Sequence, residues 1–301
     1  NPSAKHNAEG SAGIINIILK EDREPGYYGT VSGGLVYPWD SKLGASLSGN
    51  INYNVKKIDI SASAGYFNRH NTGDGYTDRL KYGADTTFLR QDEDYNFKMN
   101  SGFLRLGINY KINYRSSLSA SGMAAIGERD RESDIASRQG SLLNGQKEQH
   151  SQQTRNNYSE ADRKMFSLSL DFDHRFDRDG EKISTSVGYS GNYKKNNAEY
   201  RQMSFDQDGT SIAGSNSLQT QDTDDGMSTY LLQCDYVNPY SLTSKFELGY
   251  KSTFSQSNSQ CDSYIKEGNA TIFTPQHGLF NDFDYNQNVH ALYATYGTRI
   301  N

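Results

Sequence analysis

Apolar and polar residues alternate one by one along many separate segments of the chain. In one of the clearest segments, Leu104, Leu106, Ile108 and Tyr110 alternate with Arg, Gly and Asn. Side chains at alternate positions of a β-strand point to opposite faces of its sheet, so such a segment predicts a strand with one apolar and one polar face. The pattern recurs in about ten segments, which predicts an all-β chain folded as an antiparallel up-and-down meander. The segments begin near Val31, Leu43, Ile58, Phe103, Leu118, Phe166, Ile183, Tyr230, Phe246 and Gln287.

The two faces of these strands indicate a membrane barrel. The polar face consists mainly of Ser, Asn, Gly, Asp and Lys, which suits a wet lumen. The apolar faces are long enough to cross a bilayer at roughly 9–11 residues per tilted strand. No run of 18 apolar residues exists, so no transmembrane helix is predicted. The residues predicted to face lipid include Leu47, Ile51, Leu106, Ile108, Leu168, Leu170, Val187 and Leu248.

The connections between the segments are of two kinds. Short polar turns are predicted at 54–57, 114–117, 177–180 and 238–241. Long polar connections are predicted at 69–100, 128–162, 196–226 and 256–286. The long connections would all lie at one edge of the sheet, and the short connection 37–41, Tyr-Pro-Trp-Asp-Ser, is the exception at that edge. Outer-membrane barrels have short periplasmic turns and longer extracellular loops, so the long connections are predicted to be extracellular.

Composition and charge narrow the class further. Only 34% of the 301 residues are hydrophobic, yet the chain holds 22 Tyr, 13 Phe and 28 Gly. A helical enzyme would contain more Leu, Ala and Val, and a disordered chain would be poor in aromatic residues. The formal net charge of -5 and the lack of a basic stripe disfavour a nucleic-acid partner.

A water-soluble β-sandwich or β-solenoid would also alternate, and this alternative stays open beside the barrel. Aromatic residues near the segment ends favour the barrel, because outer-membrane barrels carry aromatic girdles at both interfaces. The girdle candidates are Trp39, Tyr53, Tyr66, Tyr110, Tyr114, Tyr193 and Tyr236.

The first twenty residues, NPSAKHNAEGSAGIINIILK, have a different pattern. A loop of small residues leads into Ile14–Leu19, an apolar run without alternation, which predicts a strand buried on both faces. This stretch closely resembles the end of the plug domain of TonB-dependent outer-membrane receptors, and the segment 26–32 that follows looks like the first barrel strand of the Bacteroidetes-type branch. The matching positions are Pro2, Ser3, Ala4, Lys5, Ala8, Gly10, Gly13, Asn16 and Lys20.

The resemblance implies a division at residue 22: residues 1–22 end a plug domain, and residues 23–301 form part of a transmembrane barrel of about 22 strands. It implies a Gram-negative transporter that imports a scarce nutrient (an iron chelate, haem, a glycan or a peptide). The implied partners are outer-membrane lipid, the TonB complex through an upstream region, the small nutrient ligand and a surface lipoprotein. A TonB box, most of a plug and about twelve further strands are expected outside this sequence.

Little in the chain predicts catalysis or metal binding. The six histidines, His6, His70, His150, His174, His277 and His290, lack metal-ligand spacing. The acidic stretches 206–209 and 222–226 could hold calcium, but solvated turns explain them more simply. Cys234 is predicted on the lipid face and Cys261 in an external connection, about a membrane thickness apart, so no disulfide is predicted. No catalytic residue, metal or cofactor is predicted.

Aromatic residues in the long connections are the candidates for a ligand mouth, although packing between loops would use the same residues. The candidates are Tyr76, Tyr82, Phe88, Tyr158, Phe205, Tyr264, Phe273 and Phe280. Two other classes stay open: a complete ten-stranded outer-membrane enzyme of the omptin-like type, and a non-transporting adhesin or assembly protein. The plug-like opening argues against the enzyme, and the full length of the gene would separate all three classes.

Overall fold

The computed structural model describes residues 25–37, 42–83, 86–143, 146–241 and 243–298. These residues form one antiparallel sheet in which the long strands pair in the order of the sequence, as the alternation predicts. The strands are β1 (Gly26–Val36), β2 (Gly44–Val55), β3 (Ile58–Lys81), β4 (Thr87–Lys111), β5 (Ser116–Leu143), β6 (Gln146–Arg175), β7 (Lys182–Phe205), β8 (Ser217–Asn238), β9 (Ser244–Glu267), β10 (Thr274–Pro275) and β11 (Asn281–Thr298). Within the described part of the chain, no helix is long and apolar enough to cross a membrane.

The two ends of the sheet are open within the described ranges. There β1 pairs with β2, and β11 pairs with β9 from Asn281–Cys261 to Thr298–Ser244. The two-residue strand β10 pairs with β9 just above β11. The terminal strands therefore have one ladder partner each among these residues, and all residues of β1 are exposed.

Register places most of the large apolar residues of the strands on one face, here called the outward face. Leu106 lies opposite Gly122, Gly122 opposite Leu168, and Leu168 opposite Tyr189. Leu168 and Leu47 are each 61% exposed. Large aliphatic side chains that are exposed over a whole face indicate that this face contacts lipid and not water. The opposite face, here called the inward face, carries residues such as Ser169 and Ser186.

The sheet has almost no conventional core. Among the described residues, the buried hydrophobic side chains are Phe88, Ala161 and Ala198. In a β-sandwich, two inner faces interdigitate to bury alternate residues, and this sheet has no second layer in the described ranges. Its backbone hydrogen bonds are satisfied between neighbouring strands, which is the requirement for crossing hydrocarbon.

The short turns lie where the sequence predicts them. They connect β2 to β3, β4 to β5, β6 to β7 and β8 to β9. Gly180, between β6 and β7, has a φ of +78°, a conformation that favours glycine. The girdle candidate Trp39 lies outside the described residues.

The long connections are much shorter than the sequence predicts. Strands run through most of 69–100, 128–162, 196–226 and 256–286, so these ranges form hairpins that continue the membrane strands. For example, Arg69–Met99 and Asp74–Asp94 are ladder pairs. The prediction of loops was wrong because both faces of such a hairpin are wet, so apolar alternation stops while backbone pairing continues.

Cys261 is likewise part of β9 and not of an external connection. It lies opposite Thr223 on the inward face, whereas Cys234 lies opposite Tyr250 on the outward face. Both thiols are free.

Candidate functional site

The aromatic residues predicted to bind ligand lie mostly on the outward face of the long hairpins, the side of the sheet predicted to be extracellular. Tyr76 lies opposite Asp92, and Asp92 lies opposite Ala136. These positions belong to the same alternating series as the lipid-facing residues nearer the membrane end of each strand. Register places the other candidates that lie within strands on that face as well: Phe88, Tyr158, Phe205 and Tyr264. Whether any of them contacts a ligand stays a prediction.

Tyr76 belongs to a charged cluster. The guanidinium of Arg90 lies 4.2 Å from the centre of the Tyr76 ring. Its nitrogens lie 2.7 Å from Asp78 Oδ2 and 2.6 Å from Asp92 Oδ1. The hydrogen bond from Arg90 holds the pKa of Asp92 below its usual value. These contacts join β3 to β4 outside the membrane.

Tyr158 and Phe88 each have a local partner. The Tyr158 hydroxyl donates a hydrogen bond to Glu160, and this bond raises the pKa of Tyr158 to about 12. Phe88 is 7% exposed, and the ammonium of Lys147 lies 5.2 Å from its ring centre. Phe88 also lines a depression of about 400 Å³ together with His150.

A third group of candidates surrounds the upper end of β9. The rings of Tyr264 and Phe280 meet edge to face with centroids 5.5 Å apart, and His277 lies 5.7 Å from Phe280. Lys266 Nζ lies 5.3 Å from the centre of the Phe273 ring. Tyr82 lies at the β3–β4 connection and is 79% exposed. The plug-motif residues, Pro2, Ser3, Ala4, Gly10, Gly13 and Asn16, lie outside the described residues.

A larger depression of about 660 Å³ lies between the hairpins of β4 to β9. Its walls include outward residues such as Asp94, Asp134, Asn156 and Arg201. Within the described ranges, no group of three or more His, Cys, Asp and Glu side chains could hold a metal ion.

Sequence reasoning missed a segregation of charge between the two faces of these hairpins. On β5, Glu128, Asp130 and Glu132 point outward, and Arg129 and Arg131 point inward. The same division extends to neighbouring strands. Outward carboxylates include Asp74, Asp92, Asp94, Asp134, Glu160, Asp162, Asp222 and Asp224, with cations such as Arg90, Lys98 and Lys164 among them. Inward cations are Arg69, Arg79, Lys81, Arg129, Arg131, Arg155, Arg163 and Lys194, with carboxylates at Glu93, Glu148, Asp225 and Glu267.

Five of these inward cations form a patch just above the apolar band, here called the basic wall: Arg69, Arg129, Arg131, Arg163 and Lys194. Arg163 lies directly opposite Lys194. Arg129 is one inward position above Arg163 on the neighbouring strand, and both Arg129 and Arg69 lie opposite Met99.

The basic wall is only partly neutralised within the described residues. Arg131 Nη2 lies 2.8 Å from Glu93 Oε1, and Lys194 Nζ lies 4.0 Å from Asp225 Oδ2. Arg163 Nε donates a 3.1 Å hydrogen bond to Asn192, an amide.

Small residues lie between these cations on the inward face. Gly127 lies opposite Arg163, Ala161 opposite Arg129, and Ser159 opposite Arg131. Long charged side chains separated by small residues leave space above the sheet. The arrangement is therefore an exposed, shallow surface lined by guanidinium and ammonium groups.

Lower on the inward face, β6 and β7 carry carboxylates and hydroxyls that bond to one another. Ser186 donates a 2.6 Å hydrogen bond to Asp171, and Ser184 a 2.6 Å bond to Asp173. Ser169 also donates to Asp171 at 3.1 Å. Polar side chains that bond to one another across strands form a wet wall, as the sequence predicts for a lumen.

A comparison with sequence families agrees with this architecture. Residues 174–301 match a sequence family described as "Outer membrane protein beta-barrel family". The chain is an outer-membrane β-barrel protein, and its location is the outer membrane. No curated protein matches it. The crystal structure of the outer membrane protease OmpT from Escherichia coli aligns over 91% of this chain and 94% of that chain, at 13% identity and a TM-score of 0.27.

Proposed function

We propose that this chain is part of a TonB-dependent outer-membrane transporter that imports a scarce nutrient through a plugged barrel. The first twenty residues carry this proposal. Their run of small residues and the apolar sequence 14–19 resemble the end of a plug domain, and strand β1 begins shortly after them, at Gly26. An iron chelate, haem, a glycan or a peptide would be the imported class.

Two features of the sheet support a barrel wider than the described strands. Both β1 and β11 have one ladder partner among the described residues. A strand edge in hydrocarbon must be paired, so further strands would lie between them. The inward face is hydrophilic through the membrane level, as is needed where a barrel wall meets a plug or water.

The proposal assigns no catalytic role to the chain. Its expected partners are outer-membrane lipid, the TonB complex, the nutrient ligand and a surface lipoprotein. An adhesin would share the lipid contact and would need no contact with TonB.

Binding of TonB tests the proposal directly. The full-length protein, purified in detergent, should bind the isolated periplasmic domain of TonB from the same organism. Deleting the segment before the plug should abolish this binding, whereas deleting the β5–β6 hairpin tip should not. If the full-length protein fails to bind the TonB domain, the transporter proposal is wrong, and the adhesin or the enzyme takes its place.

A further inference from the structure

We propose that the basic wall binds a soluble polyanion that carries several sulfate, carboxylate or phosphate groups. This proposal names the class of substrate for the proposed import function. Only the import of the bound ligand rests on that function. The binding itself follows from the charges and geometry of Arg69, Arg129, Arg131, Arg163 and Lys194.

The first argument is the close approach of like charges. Arg163 and Lys194 are direct ladder partners on the inward face, and like charges in that position destabilise a sheet. Lys194 has Asp225 at 4.0 Å, and Arg163 bonds to the neutral Asn192. An oxyanion placed between the two cations would remove their repulsion.

The second argument is the extent of the array. Neighbouring strands are about 4.8 Å apart, and successive residues on one face about 6.7 Å. The five cations lie on β3, β5, β6 and β7 and occupy three successive inward levels. A single small anion would contact only part of this surface. A ligand with several anionic groups along its length could contact all of it.

The third argument is the chemistry of the groups. Arg129 and Arg69 are exposed and make no ion pair within the described ranges. A guanidinium binds sulfate, phosphate or carboxylate through two parallel hydrogen bonds, and such bonds are stronger than neutral ones. The small residues Gly127 and Ser159 leave room for a ligand to approach these groups.

The negative charge on the outward face would direct an anionic ligand to the inward face. Glu128, Asp130 and Glu132 alternate with Arg129 and Arg131 along one strand. A polyanion is repelled by the outer surface of the hairpins and attracted to their inner surface. Clefts lined with one sign of charge raise the local concentration of the opposite sign, so the field would guide an anionic ligand into the mouth of the barrel.

The test uses the full-length protein in detergent and three fluorescent probes: a short dextran sulfate, a neutral dextran of the same length, and inorganic polyphosphate. We expect both anionic probes to bind and the neutral dextran not to bind. Binding of both anions would indicate recognition of charge alone. Binding of dextran sulfate alone would indicate that the sugar chain is also recognised. Equal binding of neutral and sulfated dextran would overturn the proposal.

Neighbouring residues provide a matched control. Arg163→Gln and Lys164→Gln each remove one positive charge, the first on the inward face and the second on the outward face. The inward change should weaken dextran sulfate binding about tenfold, the size of one charge-assisted hydrogen bond, and the outward change less than about twofold. Arg129→Gln should behave like Arg163→Gln, and heat-dependent gel mobility would verify that each variant folds. Equal losses for Arg163→Gln and Lys164→Gln would refute the site.

The two proposals fail in different ways. Polyanion binding without binding of the TonB domain would refute import and leave this site in place. TonB binding without polyanion binding would refute this site and leave import in place.

Discussion

The hydroxyl of Ser252 lies 2.8 Å from Nδ1 of His290, on the face of the sheet that meets lipid. The hydroxyl of Tyr250 lies 2.9 Å from the same nitrogen. Ser252 is only 1% exposed, and the ring of Phe254 meets His290 edge to face with centroids 5.4 Å apart. His290 is a polar side chain in the apolar band, and it therefore has two hydroxyl partners, both on β9.

This arrangement predicts a non-additive pair of substitutions. Ser252→Ala alone should lower the free energy of unfolding by less than about 1 kcal/mol, because Tyr250 still contacts Nδ1. Adding Tyr250→Phe would leave the nitrogen without a partner, and the double variant should lose about 1–3 kcal/mol more than the two single variants together. Urea titration in lipid vesicles would measure these values. Strict additivity would mean that the hydroxyls do not act together on His290.

Leu168 and Ser169 test the assignment of the two faces. Leu168 is 61% exposed on the outward face, whereas Ser169 lies inward and donates a hydrogen bond to Asp171. Leu168→Arg should cost roughly 2–4 kcal/mol at mid-membrane, and Ser169→Arg should be tolerated because the lumen is wet. The same vesicle titration measures both, and similar costs at the two positions would contradict the alternation.

The turn between β6 and β7 provides a third prediction. Gly180 has a φ of +78°, and a Cβ there would come within 3.2 Å of Pro239 Cγ. Gly180→Ala should cost about 1 kcal/mol or more through backbone strain. Asp179→Ala in the same turn is the control and should change the unfolding midpoint less. A neutral Gly180→Ala would argue against the left-handed conformation.

The sequence was sufficient to predict the membrane part of the fold because alternation there has a single cause. Lipid on one side and water on the other force apolar and polar residues into a period of two, so Leu168 and Ser169 could be assigned to opposite faces from sequence alone. The turn at Gly180 was predictable for a similarly local reason, since an Asp-Gly pair supplies the positive φ that a turn requires.

The extracellular hairpins were not predicted because water lies on both of their faces. The alternation of hydrophobicity disappears there, yet the sequence retains an alternation of charge sign, Glu128-Arg129-Asp130-Arg131-Glu132, that carries the same period. This signal would have identified the hairpin strand and placed Arg129 and Arg131 on one face of it. Contacts such as Arg90 with Tyr76 depend on register between strands, which a single sequence does not specify.

Shortening the β5–β6 hairpin tests the role of the extracellular part. Glu132 lies opposite Tyr158, so residues 133–157 can be replaced by a two-residue turn without shifting the remaining ladder. Assembly should be intact, because the membrane strands keep their partners. Uptake of the natural ligand by cells should fall, since the upper wall of the mouth is removed. Undiminished uptake, here and after shortening the other three hairpins in turn, would place ligand recognition elsewhere.

The last prediction concerns the strands at the two ends of the sheet. If the barrel is larger than the described strands, β1 and β11 are not neighbours in the full-length protein, even though both cross the membrane. In a background with Cys234→Ser and Cys261→Ser, cysteines at Val31 and Gly49, which are ladder partners, should form a disulfide under mild oxidation. Cysteines at Val31 and Leu292, which both lie on the outward face, should not, because disulfides need Cα atoms within about 7 Å. Additional positions on β11, from Gln287 to Tyr293, would exclude an error of register. A disulfide between β1 and any of these positions would mean that the sheet closes on itself as a small barrel, and it would contradict the 22-stranded transporter.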